Sequence, residues 1–171
     1  MEDIAERLGV SKRTLYLYFK SKEDLFKAIC TETPRAIREL LQAPTFQQAM
    51  QKGGFGHACK VFFDISTKGQ ISGLSYELIA ASARDPALRK IVRELYDTQI
   101  DVIADFLEDM KKAGDLPRNA NTPRLARALN ALYDGLVADL VIGMDRSEVR
   151  QTWADAADLI MQNPSPKRTR T

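Results

Sequence analysis

Apolar positions recur three and four residues apart along almost the whole chain, and nowhere do apolar and polar residues alternate one by one. No Asn-Gly pair marks a hairpin. The pattern predicts helices throughout, and the punctuation divides them. A short helix over Met1–Leu8 stops at Gly9. Ser11 is placed to cap a second, running to about Phe19. Ser21 caps a third, with Glu23 and Asp24 in the first turn, and this one points toward Gln42. Pro34 falls inside it, so a kink is expected there, or a restart with Thr33 as cap. Residues 45–67 read as a looser helix weakened by Gly53-Gly54, and Ser72–Arg84 as another. Asp85-Pro86 opens the longest helix, whose stripe Leu88, Ile91, Val92, Leu95, Gln99, Ile103, Phe106, Leu107 and Met110 ends at Gly114. Thr122-Pro123 opens the next, with Leu125, Leu129, Leu132, Tyr133, Leu136, Leu140 and Val141 on one side and Gly143 at its end. Ser147 is placed to cap the last, which carries Val149, Trp153, Ala156, Ala157 and Ile160. The expected fold is all-α.

Composition narrows what such a chain does. It has 171 residues, 44% of them apolar and 28% charged, which suits a folded chain with its own core rather than a disordered one. No run approaches the length of a membrane span, and the start shows no leader pattern. Two cysteines, Cys30 and Cys59, and one histidine, His57, offer no zinc spacing and no disulfide framework, so a reducing cytoplasm is expected and neither metal nor cofactor is. The 25 basic residues barely exceed the 23 acidic ones. Lys167, Arg168 and Arg170, in a basic tail after the Pro-rich 163–166, account for three of the 25. A nucleic-acid site on this chain therefore has to be a local patch.

Residues 1–22 contain such a patch. A helix-turn-helix needs a small residue where its helices cross, and Ala5 stands there; four positions on, the turn needs left-handed backbone, and Gly9 stands there. Ile4, Leu8, Val10, Leu15 and Phe19 are expected to face the shared core. Ser11–Lys22 holds Lys12, Arg13, Lys20 and Lys22 and no acid. Tyr16 and Tyr18 add phenolic donors suited to phosphate oxygens. Lys22 stands where a helix N-terminus offers free N–H groups to an anion.

The run Ile4-Ala5, Gly9-Val10-Ser11, Thr14-Leu15-Tyr16, Tyr18-Phe19 and Lys22-Glu23-Asp24-Leu25 resembles the TetR family of bacterial transcriptional regulators. The likeness is dense over about the first 30 residues and rests on helix order beyond them. It implies a DNA-binding recognition helix over about Lys12–Phe19, with Ser11, Lys12, Arg13, Thr14, Tyr16, Tyr18 and Lys22 at operator DNA. Arg13, where many members carry glycine, is the candidate for bidentate guanine readout or for a phosphate contact. The family opens with a further helix ahead of the one holding Met1, so residues 1–22 are expected to form an incomplete helix-turn-helix with poor DNA affinity. Residues 23–43 are expected to connect it, with a possible break at Pro34, to a helical bundle over 44–162 that binds a ligand and dimerises; 163–171 are expected to be disordered.

The resemblance further implies a homodimer on a pseudo-palindromic operator, joined through the last two helices, with Leu129, Leu132, Leu136, Leu140, Val149, Trp153 and Ile160 as candidates for that interface or for the chain's own core. It implies a small-molecule effector among the middle helices. Phe55, Phe62, Phe63, Leu78, Tyr96, Ile103, Phe106 and Tyr133 are the candidate lining, pointing to a largely apolar effector, with His57 as a polar contact. Repression relieved by that effector is the expected mode. A helical interaction or ligand-binding module without effective DNA binding is the alternative. Catalysis is not expected: His57 and Cys59 are two apart and face away from each other on a helix.

Overall fold

The computed structural model describes residues 2–7, 9–68 and 74–162. They form eight helices: α1 (Glu2–Arg7), α2 (Lys12–Tyr18), α3 (Lys22–Gln42), α4 (Pro44–Ser66), α5 (Leu74–Ser82), α6 (Pro86–Ala113), α7 (Thr122–Val141) and α8 (Arg146–Gln162). There is no strand among the described residues, so the chain is all-α as its periodicity predicts. The Ser72 start expected for α5 and the basic tail lie outside the described residues.

Local chemistry sets the boundaries. Ser11 accepts from the Thr14 N–H at 3.0 Å and Ser21 from the Asp24 N–H at 3.1 Å, each satisfying a first-turn donor. Asp85 accepts from Ala87 and Leu88 at the head of α6, with Pro86 in the first turn. Gly114, at φ +93°, ends α6 while the Asp115 N–H reaches back to the Met110 carbonyl at 2.9 Å.

α7 opens at Thr122-Pro123 as expected, with Asn121 as its cap accepting from the Arg124 N–H. Two expectations are corrected. Asp145, rather than Ser147, caps α8: its Oδ1 accepts from the Ser147 and Glu148 N–H groups at 2.9 and 3.0 Å. α3 runs unbroken through Pro34. The proline removes one backbone donor, and packing of α3 along α6 and α4 keeps the helix continuous. The break falls instead in α4, where Gly54 adopts φ +75°, ψ −170° and divides the helix into two arms.

That kink shapes the body. The second arm starts beside α8, and Gly56 donates its N–H to Asp158 Oδ1 at 2.7 Å, so a side chain on α8 caps a helix start on α4. A Cβ at Gly56 would collide with the Asp158 carboxylate. Further along, the Trp153 indole donates to the Cys59 carbonyl at 3.0 Å, and Arg150 grips Asp64 with two nitrogens at 2.6–2.9 Å. Phe46, Phe63 and Leu107 are the largest fully buried side chains, and burial of each contributes about 1.5–3 kcal/mol. Among the described residues no helix is long and apolar enough to cross a membrane.

Candidate functional site

The first two helices meet at Gly9, whose φ of +65° lets the Val10 N–H return to the Ala5 carbonyl at 3.0 Å. Ala5 and Leu15 are buried where α1 and α2 cross, with Leu25 and Phe26 of α3 also buried. Val10, expected in that core, is 39% exposed, because the helices flanking the turn have six and seven residues and too little surface to cover it. Phe19 is half-buried at the C-cap of α2. Leu8 and the side chains of Ile4 and Lys22 lie outside the described residues.

α2 presents an uncovered face. Ser11, Lys12 and Arg13 are exposed and Thr14 is half-exposed, with its hydroxyl 2.7 Å from that of Ser11. Tyr16, Leu17 and Tyr18 are exposed, Leu17 and Tyr18 by more than three quarters. The two arginine and lysine heads differ. Lys12 Nζ lies 3.0 Å from Glu2 Oε2 of α1. That hydrogen bond and the opposite charges lower the Glu2 carboxyl pKa and raise that of the Lys12 ammonium. Arg13 has no ion-pair partner among the described residues. Leu17, which sequence reasoning did not assign, is a large apolar side chain on a face otherwise suited to water, and apolar groups there can meet thymine methyls.

The second feature is a partly open cavity of about 770 Å³ lined by residues of α3 to α8. Phe55, Phe62, Tyr96, Ile103, Phe106 and Tyr133 of the expected lining stand on its wall. Phe63 does not: it points into the core, where the Arg146 guanidinium lies 5.1 Å from its ring centroid. Leu78 does not either, since α5 turns Tyr76 and Ile79 toward the cavity. His57 is exposed and off the wall. Cys59 is buried, which pushes its thiol pKa well up and keeps it protonated, and no hydrogen bond joins it to His57 among the described residues.

The wall also carries polar groups that the apolar stripes did not announce. Tyr133 packs edge-on between Phe62 and Trp153, both centroids 5.4 Å away, and its hydroxyl lies 2.6 Å from Ser66 Oγ. Tyr76 donates to the Asp134 carbonyl at 2.6 Å. The Asp134 carboxylate takes a hydrogen bond from Asn130 at 3.0 Å and another from the Tyr96 hydroxyl. Burial raises the pKa of Asp134, and these two bonds act against the rise.

The residues expected between two copies divide. Leu129, Leu136, Val149 and Trp153 are buried in this chain's own core, and Leu132, Leu140 and Ile160 pack partly against it. A different face of α7 and α8 is free: Ala128, Ala131 and Gly135 are exposed on α7, Leu159 is 62% exposed on α8, and Ile142 is 76% exposed just past α7. The spacing 128, 131, 135 puts the three small residues on one stripe.

Comparison with known proteins agrees with both halves of this arrangement. Residues 1–29 match the model of bacterial regulatory proteins of the tetR family. Residues 61–162 match that of the C-terminal domain of BetI-type transcriptional repressors. The chain is 27% identical over 144 residues to the HTH-type transcriptional regulator UidR of Escherichia coli strain K12, and equally to that of Shigella flexneri, covering 82% of this chain and 70% of each relative. A helix-turn-helix at the front and a matching regulatory body behind it leave one assignment: the chain belongs to the TetR family and is a transcriptional regulator.

Proposed function

We propose that this regulator is a homodimeric repressor that reads a two-half-site operator with α2 and leaves it when a small, largely apolar molecule occupies the cavity. The observation that carries the reading is the outward face of α2, where Arg13, Tyr16, Leu17 and Tyr18 are exposed, Leu17 and Tyr18 by more than three quarters. Side chains of this size and type gain when DNA covers them. Arg13 matches the acceptor pair on guanine, Leu17 a thymine methyl, and Ser11, Lys12, Thr14, Tyr16, Tyr18 and Lys22 the phosphates.

One helix of seven residues reads few base pairs, so two copies one helical turn apart supply the affinity. The free face of α7 and α8 supports the pairing. Ala128, Ala131 and Gly135 allow close approach of helices, and Ile142 and Leu159 gain from being covered. The cavity supports release: a ligand that fits it better in one arrangement of the two heads lowers operator affinity by the same factor that DNA lowers ligand affinity. The BetI-type match over the body favours repression over activation.

Titrating the protein onto duplex DNA across a salt series tests this. The expected result is two protomers per bound site and a log–log salt slope of about −0.9 per phosphate contacted. Salt-insensitive or absent binding would instead favour a helical ligand-binding module.

A further inference from the structure

α5 is the loosest part of the cavity wall. Among the described residues it packs on α6 alone, whereas α3, α4, α6, α7 and α8 each pack on at least two neighbours. Of its described side chains only Ser82 is buried; Tyr76 and Leu78 are half-buried, and Ile79, Ala80 and Ala81 are exposed. None of these belongs to either buried apolar cluster of the body. Yet Tyr76 and Ile79 stand on the cavity wall.

The helix is held unequally along its length. At its C-terminal end Arg89 of α6 donates from Nε to the Ser82 carbonyl at 3.1 Å and from Nη2 to the Ala83 carbonyl at 2.6 Å. A charged fork on two carbonyls is a firm anchor. Toward the other end a single hydrogen bond reaches α7, where the Tyr76 hydroxyl donates to the Asp134 backbone carbonyl at 2.6 Å. Among the described residues no other hydrogen bond joins α5 to α7. A segment with so little buried apolar surface opens locally while the rest stays folded. One neutral hydrogen bond shifts such an opening by about fivefold.

We infer that α5 is a lid on the cavity, anchored to α6 by Arg89 and latched to α7 by the Tyr76 hydroxyl. The inference rests on the reading of the cavity as a ligand site, and it assigns to α5 the passage of ligand in and out rather than the choice of ligand. Release of the latch swings Tyr76 and Ile79 off the wall about the Arg89 anchor, and the other helices of the body stay in place. The ring of Tyr76 is wall, and its hydroxyl controls access.

Two measurements on the full chain test this together. Hydrogen exchange read by mass spectrometry follows the opening of α5. Acrylamide quenching of Trp153, which is the chain's one tryptophan and is buried on the cavity wall, follows access to the cavity. In the wild type the amides of α5 are expected to exchange faster than those of α6 and α8. Tyr76→Phe keeps the ring and removes the hydroxyl. It is expected to speed exchange in α5 about fivefold, to leave α7 and α8 unchanged, and to raise the quenching constant of Trp153 about twofold or more. Ser66→Ala removes the hydroxyl beside Tyr133 on the same wall, and neither readout is expected to change. Wild-type α5 amides exchanging as slowly as those of α6 would overturn the inference. So would a Tyr76→Phe protein in which exchange is unchanged, rises equally in every helix, or rises in α5 without added quenching of Trp153. The same response in Ser66→Ala would overturn it as well, because the effect would not belong to the latch. Both readouts are taken without ligand or DNA, so their failure leaves the effector reading standing, and a failure to find an effector leaves them unaffected.

Discussion

The head and the body of this regulator keep their chemistry on opposite sides of their helices. The head, α1 and α2, buries Ala5 and Leu15 where its helices cross and turns Arg13, Leu17 and Tyr18 outward. The body, α3 to α8, buries rings as large as Phe46 and Phe63 and holds its polar groups inside, around Asp134. A short helix has one narrow stripe for its core, and everything else is free for a partner. A bundle of long helices encloses space, and whatever side chain faces that space becomes its site. Mutations in the two regions should therefore separate stability from recognition.

The sharpest separation pairs a core ring with a surface leucine. Phe63→Ala is expected to cost about 3–5 kcal/mol and to unfold the body in chemical denaturation. Leu17→Ala removes a side chain that is 76% exposed, so stability should hold within about 0.5 kcal/mol while operator affinity falls. If Leu17→Ala destabilises the protein as well, the head is not an outward-facing reader.

Next in size, Arg13→Ala is expected to weaken operator binding by about 1–3 kcal/mol and to relax the preference at one base pair, with Tm unchanged. Calorimetry and a titration on DNA check both halves.

The body gives a smaller, pH-dependent effect. Burial raises the folded-state pKa of Asp134, so the folded state favours its protonated form. Its cost is absent below the unfolded carboxylate range and grows as pH rises through the folded pKa. Asp134 faces Tyr76 on α5, Tyr96 on α6, and Asn130 and Tyr133 on α7, none of them cationic. Asp134→Asn should therefore raise Tm by a few degrees at neutral pH, and the gain should vanish on acidification. A loss of Tm at neutral pH would mean that the carboxylate is stabilising where it stands.

The smallest effect is in the head. Glu2 holds Lys12 at 3.0 Å, and both are exposed. Glu2→Gln frees that cation for phosphate, so DNA affinity should rise modestly and the salt slope should steepen by about one unit. An unchanged slope would show that Lys12 makes no phosphate contact.

The same contrast explains what could be read from the sequence. Caps and turns depend on neighbours in the chain, so Ser11, Ser21, Asp85, Gly9 and Gly114 were legible from residue type alone. Asp145 and Ser147 are both good caps two residues apart, and only the backbone shows that Asp145 takes the two N–H groups. Pro34 reads as a break because its ring removes a donor, yet α3 stays continuous through it, packed against α6 and α4. Phe62 and Phe63 are adjacent on α4 and therefore point about 100° apart, one to the cavity and one to the core, and the pattern cannot order them. α5 is apolar nearly all round, which hid its phase and put Leu78 where Tyr76 and Ile79 stand. Asp134 went unnoticed because one acid on a helix reads as a solvated position until the fold encloses it.

We propose that the outward face of α2 carries the sequence specificity of this regulator. Selection from a random duplex library, run in parallel with the wild type and with Arg13→Ala, tests it most directly. The wild type is expected to enrich two related half-sites about one helical turn apart, and Arg13→Ala to alter one position in each. Enrichment of no motif, or of a motif indifferent to Arg13, would contradict it.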